Sequence, residues 1–102
     1  MSYRLEVLAA AAEENVQTIA WLREHAASSA VELYATTIAR ALEEITELPF
    51  AWPAWEADPE IRVRHLNRIS ISVIYRVRDR FVEVIAFAHQ RRAAGYWLDR
   101  IR

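Results

Sequence analysis

The sequence predicts a single α+β domain in which a helical hairpin packs on a small, mainly antiparallel sheet, in the order β-α-α-β-β-β. Apolar residues recur at helical spacing in the first half of the chain, and after residue 60 their period changes to two. The chain has 102 residues, of which 54% are hydrophobic. That size suits one core, so we expect residues 1–102 to fold as one unit.

The first two elements are a strand and a helix. Residues 3–8 alternate in polarity and predict a short strand. Residues 11–27 then follow a helical period. We expect the core-facing stripe of this helix to be formed by Ala12, Val16, Ile19, Ala20 and Ala26, with Arg23 interrupting it.

The second helix is predicted from its boundaries as well as its period. Ser29 and Glu32 have the spacing of a capping box, in which each side chain bonds the other's backbone N–H. Pro49 ends the helix. Its apolar stripe is cleaner than that of the first helix and comprises Ala30, Tyr34, Ile38, Ala41, Leu42, Ile45 and Leu48. The very short turn between the helices predicts a helical hairpin.

The second half of the chain predicts a three-stranded meander. Residues 49–60 hold all three prolines and indicate an irregular connection. The predicted strands follow at residues 61–66, 69–77 and 81–88, separated by segments short enough to be hairpin turns. Residues 89–102 form a basic, aromatic tail after the last strand.

Composition excludes several kinds of site. The chain has no cysteine and a single glycine, which excludes thiolate chemistry and glycine-rich phosphate loops. His25, His65 and His89 stand alone, without the spacing of a metal-binding pair. Ser70 and Ser72 lack the setting of an activated nucleophile and read as polar positions of a strand. We therefore expect no metal and no cofactor.

Charge is divided between the two halves of the chain. Residues 1–60 have a formal charge of −8 and residues 61–102 a charge of +7, with arginine as the only basic residue type besides histidine. An anionic partner would suit the cationic half, and neutralisation inside the fold would explain the division equally well. The sequence has neither a secretory leader pattern nor an apolar run long enough for a membrane span, so we expect a cytoplasmic protein.

The tail combines cations with aromatic rings. The residues that we expect to bind a target are Arg91, Arg92, Tyr96, Trp97 and Arg100. Such a mixture suits nucleic acid, and it also suits a protein interface. The alternative is a tail packed back on the sheet, with Trp97 as a buried plug. If the tail acts only by contacting a target, a chain ending at His89 should lose its activity and keep its fold.

Trp21 is the second candidate for a contact residue. It lies on the polar side of the predicted first helix, about 160° from the centre of the apolar stripe. An exposed tryptophan in that position is typical of a contact with another chain. The alternative is that the connection holding Trp52 and Trp55 folds back over it.

Three stretches of the sequence resemble the RelE/ParE toxin superfamily of bacterial toxin–antitoxin pairs. The helical hairpin closes with Leu48-Pro49, as it often does in that family. Tyr75, Arg76 and Val77 are similar to the family's Tyr-Arg-Val strand, and residues 84–97 are similar to its basic ending. The resemblance covers nearly the whole chain and implies the same α+β order that the periodicity predicts.

The resemblance implies two alternative activities. RelE-like members are ribosome-dependent mRNA endonucleases, for which Arg91, Arg92 and Tyr96 would be the catalytic candidates here. ParE-like members inhibit DNA gyrase without a nuclease site. The RelE pattern expects an arginine where this chain has Ser72, whose hydroxyl cannot supply a fixed positive charge. The resemblance therefore favours a ParE-like, non-enzymatic inhibitor, unless another arginine, Arg62 or Arg64, converges on Ser72 and Tyr96 in space.

The resemblance also implies a partner. A ParE-like toxin causes growth arrest, serves plasmid stabilization and is neutralised by a ParD-like antitoxin in a hetero-oligomer. Such antitoxins bind through an extended, often acidic segment. The residues expected to contact it are Trp21, Arg62, Arg64 and Arg76. A non-toxic relic that only binds its antitoxin is the remaining alternative.

Overall fold

The computed structural model describes residues 3–102. Its strands and helices are β1 (Arg4–Val7), α1 (Ala9–His25), α2 (Ser28–Glu47), β2 (Ala54–Trp55), β3 (Asp58–Leu66), β4 (Ile71–Arg78) and β5 (Phe81–His89). Short 3₁₀ turns occupy Asn67–Ile69 and Leu98–Arg100. The predicted α+β class and the order of elements are confirmed, and β2 is a short addition within the predicted connection. Neither helix in residues 3–102 is long and apolar enough to cross a membrane.

The five strands form one sheet in the order β1-β5-β4-β3-β2. Strand β1 pairs in parallel with β5, and every other pair is antiparallel. The predicted β3-β4-β5 meander is therefore confirmed. Asp79 and Arg80 form a two-residue turn between β4 and β5, with Asp79 in the left-handed region at φ 55°. Between β3 and β4 the chain makes a 3₁₀ turn instead of the expected two-residue turn.

Helix α2 covers one face of the sheet much as its sequence predicts. Tyr34, Ile38, Ala41 and Ile45 are all buried along one side of it. The prediction of a capping box at Ser29 and Glu32 is wrong, because the helix already begins at Ser28. Its N-cap is Ala27, which has no side-chain acceptor, so the expected capping serine lies within the first turn.

Helix α1 lies on the sheet through a different side from the one predicted. Val16 is 59% exposed, and three alanines of the expected stripe are exposed as well: Ala12, Ala20 and Ala26. The inner side of the helix instead carries the buried Ala11 and the partly buried Leu22, with Ile19 shared by both stripes. The predicted orientation of α1 was wrong because alanine occurs on every side of this helix and gives its period little contrast.

The sheet has an apolar cluster on each face. The helices cover the first cluster, and Trp97 from the tail lies in the second, against residues such as Ile61 and Ile74. Strand β5 contains a β-bulge, because Ile74 pairs with Ala86 while the next residue, Tyr75, pairs with Val84. The extra residue shifts the alternation of the β5 side chains between the two faces by one position. The bulge thereby turns Phe87 towards the helices.

Candidate functional site

The tail packs back on the sheet. The indole of Trp97 is 2% exposed and lies 5.0 Å from that of Trp55, centroid to centroid. Leu98 and Ile101 pack on the same cluster. Trp97 is therefore a buried plug in this structure and presents no surface to a target. A chain ending at His89 would uncover the second face of the sheet, so from the structure we expect this truncation to destabilise the fold as well as to remove the tail.

A glycine makes this return of the tail possible. Gly95 has φ +84°, in the left-handed region that L side chains rarely adopt. A Cβ atom at this position would lie 3.2 Å from Leu98 Cδ1 and 3.3 Å from Trp55 Cη2. The single glycine of the sequence thus stands where the tail turns and passes closest to Trp55.

The tail and the second face of the sheet line a solvent-open cavity of about 580 Å³. Its polar lining includes His65, Ser72, His89, Arg92 and Tyr96, and Trp55 and Trp97 are among the apolar residues that line it. His65 Nδ1 and Ser72 Oγ face each other on paired strands and hydrogen-bond at 2.7 Å. The cavity therefore brings two imidazoles, a hydroxyl and a guanidinium together beside an apolar surface. Hereafter we call it the tail cavity.

Tyr96 lies between two arginines at the edge of the tail cavity. The guanidinium carbons of Arg92 and Arg100 are 3.6 and 5.3 Å from the centroid of its ring. Its hydroxyl donates a hydrogen bond to Glu14 Oε2. Burial, together with the bond to Glu14, raises the pKa of Tyr96 to about 12. The phenol is therefore neutral at physiological pH, and its proton is engaged by the carboxylate.

The three arginines of the tail that the sequence groups together have different surroundings. Arg91 is exposed, and the side chain of Arg92 is 56% exposed. The side chain of Arg100 is only 18% exposed and donates to Glu14 Oε1 at 2.8 Å and to the Ile85 carbonyl at 3.1 Å. The bond to Glu14 raises the pKa of Arg100. Arg91 and just over half of the Arg92 side chain are thus open to solvent, although Arg92 also lies over Tyr96, whereas Arg100 holds the tail to the rest of the domain.

The three arginines expected to bind an antitoxin all contact groups within the fold. Arg62 donates to the Trp52 carbonyl at 2.7 Å, and Arg64 and Arg76 form ion pairs of 2.7 and 2.6 Å with glutamates of α2 and β5. Arg64 lies on the face of the sheet that the helices cover, and Arg62, two residues earlier in β3, lies on the same face. Ser72 lies on the other face, so neither arginine converges on it. It is Arg92 that lines a cavity with Ser72.

Trp21 is exposed, in contrast to Trp97. Its side chain is 58% exposed and stacks on His25, with ring centroids 4.5 Å apart. It lines a groove of about 360 Å³ between α1 and the sheet, together with His89 and Arg92. The connection after α2 does not cover it, because Trp52 packs under Arg64 and Trp55 packs on Trp97. Trp21 therefore shares a groove with Arg92 of the tail.

Sequence reasoning assigned no role to three side chains of this region. Glu14 reads as a solvated acid, because its place on the inner side of α1 depends on the orientation of that helix. His65 and His89 are far apart along the chain and meet at the cavity only after the meander forms. The alternation in β3 and β4 does carry a signal for the His65–Ser72 pair, once the register is known. Within residues 3–102, no three acidic, histidine or cysteine side chains are grouped so as to hold a metal ion.

Comparisons with known proteins identify the fold. No protein-family model and no curated protein matches the sequence. Among solved structures, the chain is similar to one from the chromosomal ParDE TA system of P. aeruginosa, with a TM-score of 0.75 and 12% identity over 86% of this chain and 96% of that one. It is also similar to a mutant of E. coli toxin RelE in the free state, with a TM-score of 0.70 and 20% identity over 100% of both chains. This chain therefore has the fold of the RelE/ParE superfamily.

Proposed function

We propose that this protein is the toxin of a type II toxin–antitoxin module. It acts as a ParE-like inhibitor of DNA gyrase, arrests growth and is neutralised by a ParD-like antitoxin. The supporting observation is an outward cationic segment, Arg91 and Arg92, which the neighbouring Tyr96–Glu14 bond and the buried Trp97 hold on the shared fold. The two similar structures come from a ParDE TA system and a toxin RelE.

The chemistry of the tail favours binding over catalysis. A general base needs a pKa near the working pH, and the Tyr96 phenol has a pKa of about 12 with its proton bonded to Glu14. Ser72 has no charge with which to stabilise a developing phosphorane. Exposed arginines beside an aromatic ring are, by contrast, typical of an interface hot spot.

A RelE-like, ribosome-dependent endonuclease is the second candidate, and one observation favours it. Arg92, Ser72 and Tyr96 line the same cavity, along with His65 and His89. Imidazoles are the usual acid–base groups near neutral pH, and a guanidinium supplies a fixed cation for phosphate. A nuclease of this kind would depend on the imidazoles of the tail cavity, whereas a gyrase inhibitor would depend on the exposed arginines and would tolerate the loss of an imidazole.

The experiment that tests the proposal compares both targets with one set of purified proteins. Wild-type chain, R91Q/R92Q and H65Q are assayed for inhibition of DNA gyrase supercoiling and for trapped cleaved DNA. The same samples are assayed for mRNA cleavage on ribosomes. R40Q, which removes a single exposed arginine of α2, controls for the loss of a surface charge away from the tail.

We expect wild type, H65Q and R40Q to inhibit gyrase, and R91Q/R92Q to lose inhibition by roughly tenfold or more. If the wild-type chain cleaves mRNA on ribosomes and H65Q does not, the result would contradict the proposal and favour the nuclease. A folded wild-type chain that binds its antitoxin and affects neither target would identify a non-toxic relic.

A further inference from the structure

Glu14 connects helix α1 both to the tail and to strand β5. Its side chain is 14% exposed. Its two oxygens accept hydrogen bonds from the Tyr96 hydroxyl and from both terminal nitrogens of Arg100, at 2.8 and 3.2 Å for the guanidinium. A terminal nitrogen of Arg92 lies 3.9 Å from Oε2. A single carboxylate thus contacts the groups that fix the position of the cationic tail segment.

The same carboxylate also completes the edge of the sheet. Strand β1 pairs with β5 only as far as Val84, so the backbone of β5 beyond that residue has no β1 partner. There, Glu14 Oε1 accepts the Phe87 N–H at 3.1 Å, and Arg100 donates to the Ile85 carbonyl at 3.1 Å. Two side chains therefore satisfy polar backbone groups that a longer β1 would otherwise bond.

We propose that Glu14 is the positioning residue of the tail, holding Arg92 and Tyr96 in the arrangement through which the tail acts on its target. Its charge is essential to this role. The carboxylate accepts from an N–H, a hydroxyl and a guanidinium at once, and a neutral amide has one acceptor oxygen and two donor hydrogens. In Glu14→Gln, the amide NH₂ group would be directed at groups that are themselves hydrogen-bond donors. Arg92 and Arg100 would also lose the negative charge that they share. The part of the inference that concerns gyrase inhibition rests on the proposed function, and the part that concerns the order of the tail does not.

The test measures tail order and activity separately. Hydrogen exchange of backbone amides in residues 90–102 and in β4 is followed by mass spectrometry for wild type, E14Q and E13Q. E13Q makes the same chemical change at the neighbouring, exposed position of α1. Gyrase inhibition is measured for the same proteins, for R100Q and for the double variant E14Q/R100Q.

We expect exchange in residues 90–102 of E14Q to rise roughly tenfold or more while β4 stays as protected as in wild type. Gyrase inhibition should weaken by a similar factor. If Glu14 acts through Arg100 and the tail, E14Q should add little to R100Q, so the double variant is less impaired than the two separate losses combined. E13Q should match wild type in both measurements.

Three results would overturn the inference: unchanged exchange in the E14Q tail, faster exchange throughout the domain, or a loosened tail with unaltered gyrase inhibition. A wild-type chain that does not inhibit gyrase would instead contradict the proposed function, and the exchange experiment would still decide whether Glu14 positions the tail.

Discussion

At the scale of single residues, two tyrosine hydroxyls join parts of the chain that are far apart in sequence. Tyr75 in β4 donates to the Pro49 carbonyl at 2.5 Å, just after α2. Tyr96 donates from the tail to Glu14 in α1. Burial is the main cause that raises the pKa of each phenol to about 12. Both bonds require the phenol proton, so the stability that they contribute is lost at alkaline pH.

We predict that the free energy of unfolding falls between about pH 10 and pH 12. The phenols ionise near pH 10 in the unfolded chain and near pH 12 in the folded one, so their contribution is fully present below pH 10 and is lost as the pH rises through 12. Urea denaturation at a series of alkaline pH values measures the fall, with Y96F expected to reduce its steepness. A stability that stays constant up to about pH 12 would contradict the assignment.

At the scale of elements, the two helices use their apolar residues differently. Ile45 on α2 is fully buried against the sheet, whereas Val16 on α1 is 59% exposed although its spacing predicts a core position. Because alanine occurs on several sides of α1, its own period does not fix its orientation. Tertiary contacts on its inner side include the packing of Ile19 and Leu22 on the core, the bond from Tyr34 to Asn15 and the bonds of Glu14. Tertiary contacts therefore decided the inner side of α1.

We predict that I45A lowers the free energy of unfolding by about 2–5 kcal/mol, because it leaves a cavity in the core. V16A on the exposed side of α1 should change it by less than about 0.5 kcal/mol. Chemical denaturation of both variants measures the difference. A large loss in V16A would mean that α1 packs through the stripe predicted from its sequence.

At the scale of the whole molecule, some of the opposite charges of the two halves pair with each other within the domain. Glu14 binds Arg100, Glu44 binds Arg64 and Asp58 binds Arg102, each pair joining the acidic half to the basic half. Neutralisation within the fold therefore accounts for part of the division in charge. An acidic partner has the outward arginines of the tail and the nearby groove of Trp21 available to it.

We predict that W21E weakens binding of the cognate ParD-like antitoxin at least about tenfold, because it removes an exposed ring from the groove beside Arg92. V16E is the matched control, since Val16 is equally exposed on the other flank of the same helix. Isothermal calorimetry measures both affinities. Unchanged affinity in W21E, or an equal loss in V16E, would place the antitoxin elsewhere.

The amino-acid sequence by itself determined the α+β class, the order of the elements and the inner side of α2, because these follow from apolar periods within single segments. The basic tail and the exposed Trp21 were also recognisable from the sequence. Only the tertiary structure decided that Trp97 is buried, that Arg64 pairs with Glu44, and that Glu14 holds the tail. Each of these contacts joins segments distant along the chain, so it depends on how the elements pack together and not on the period within any one of them.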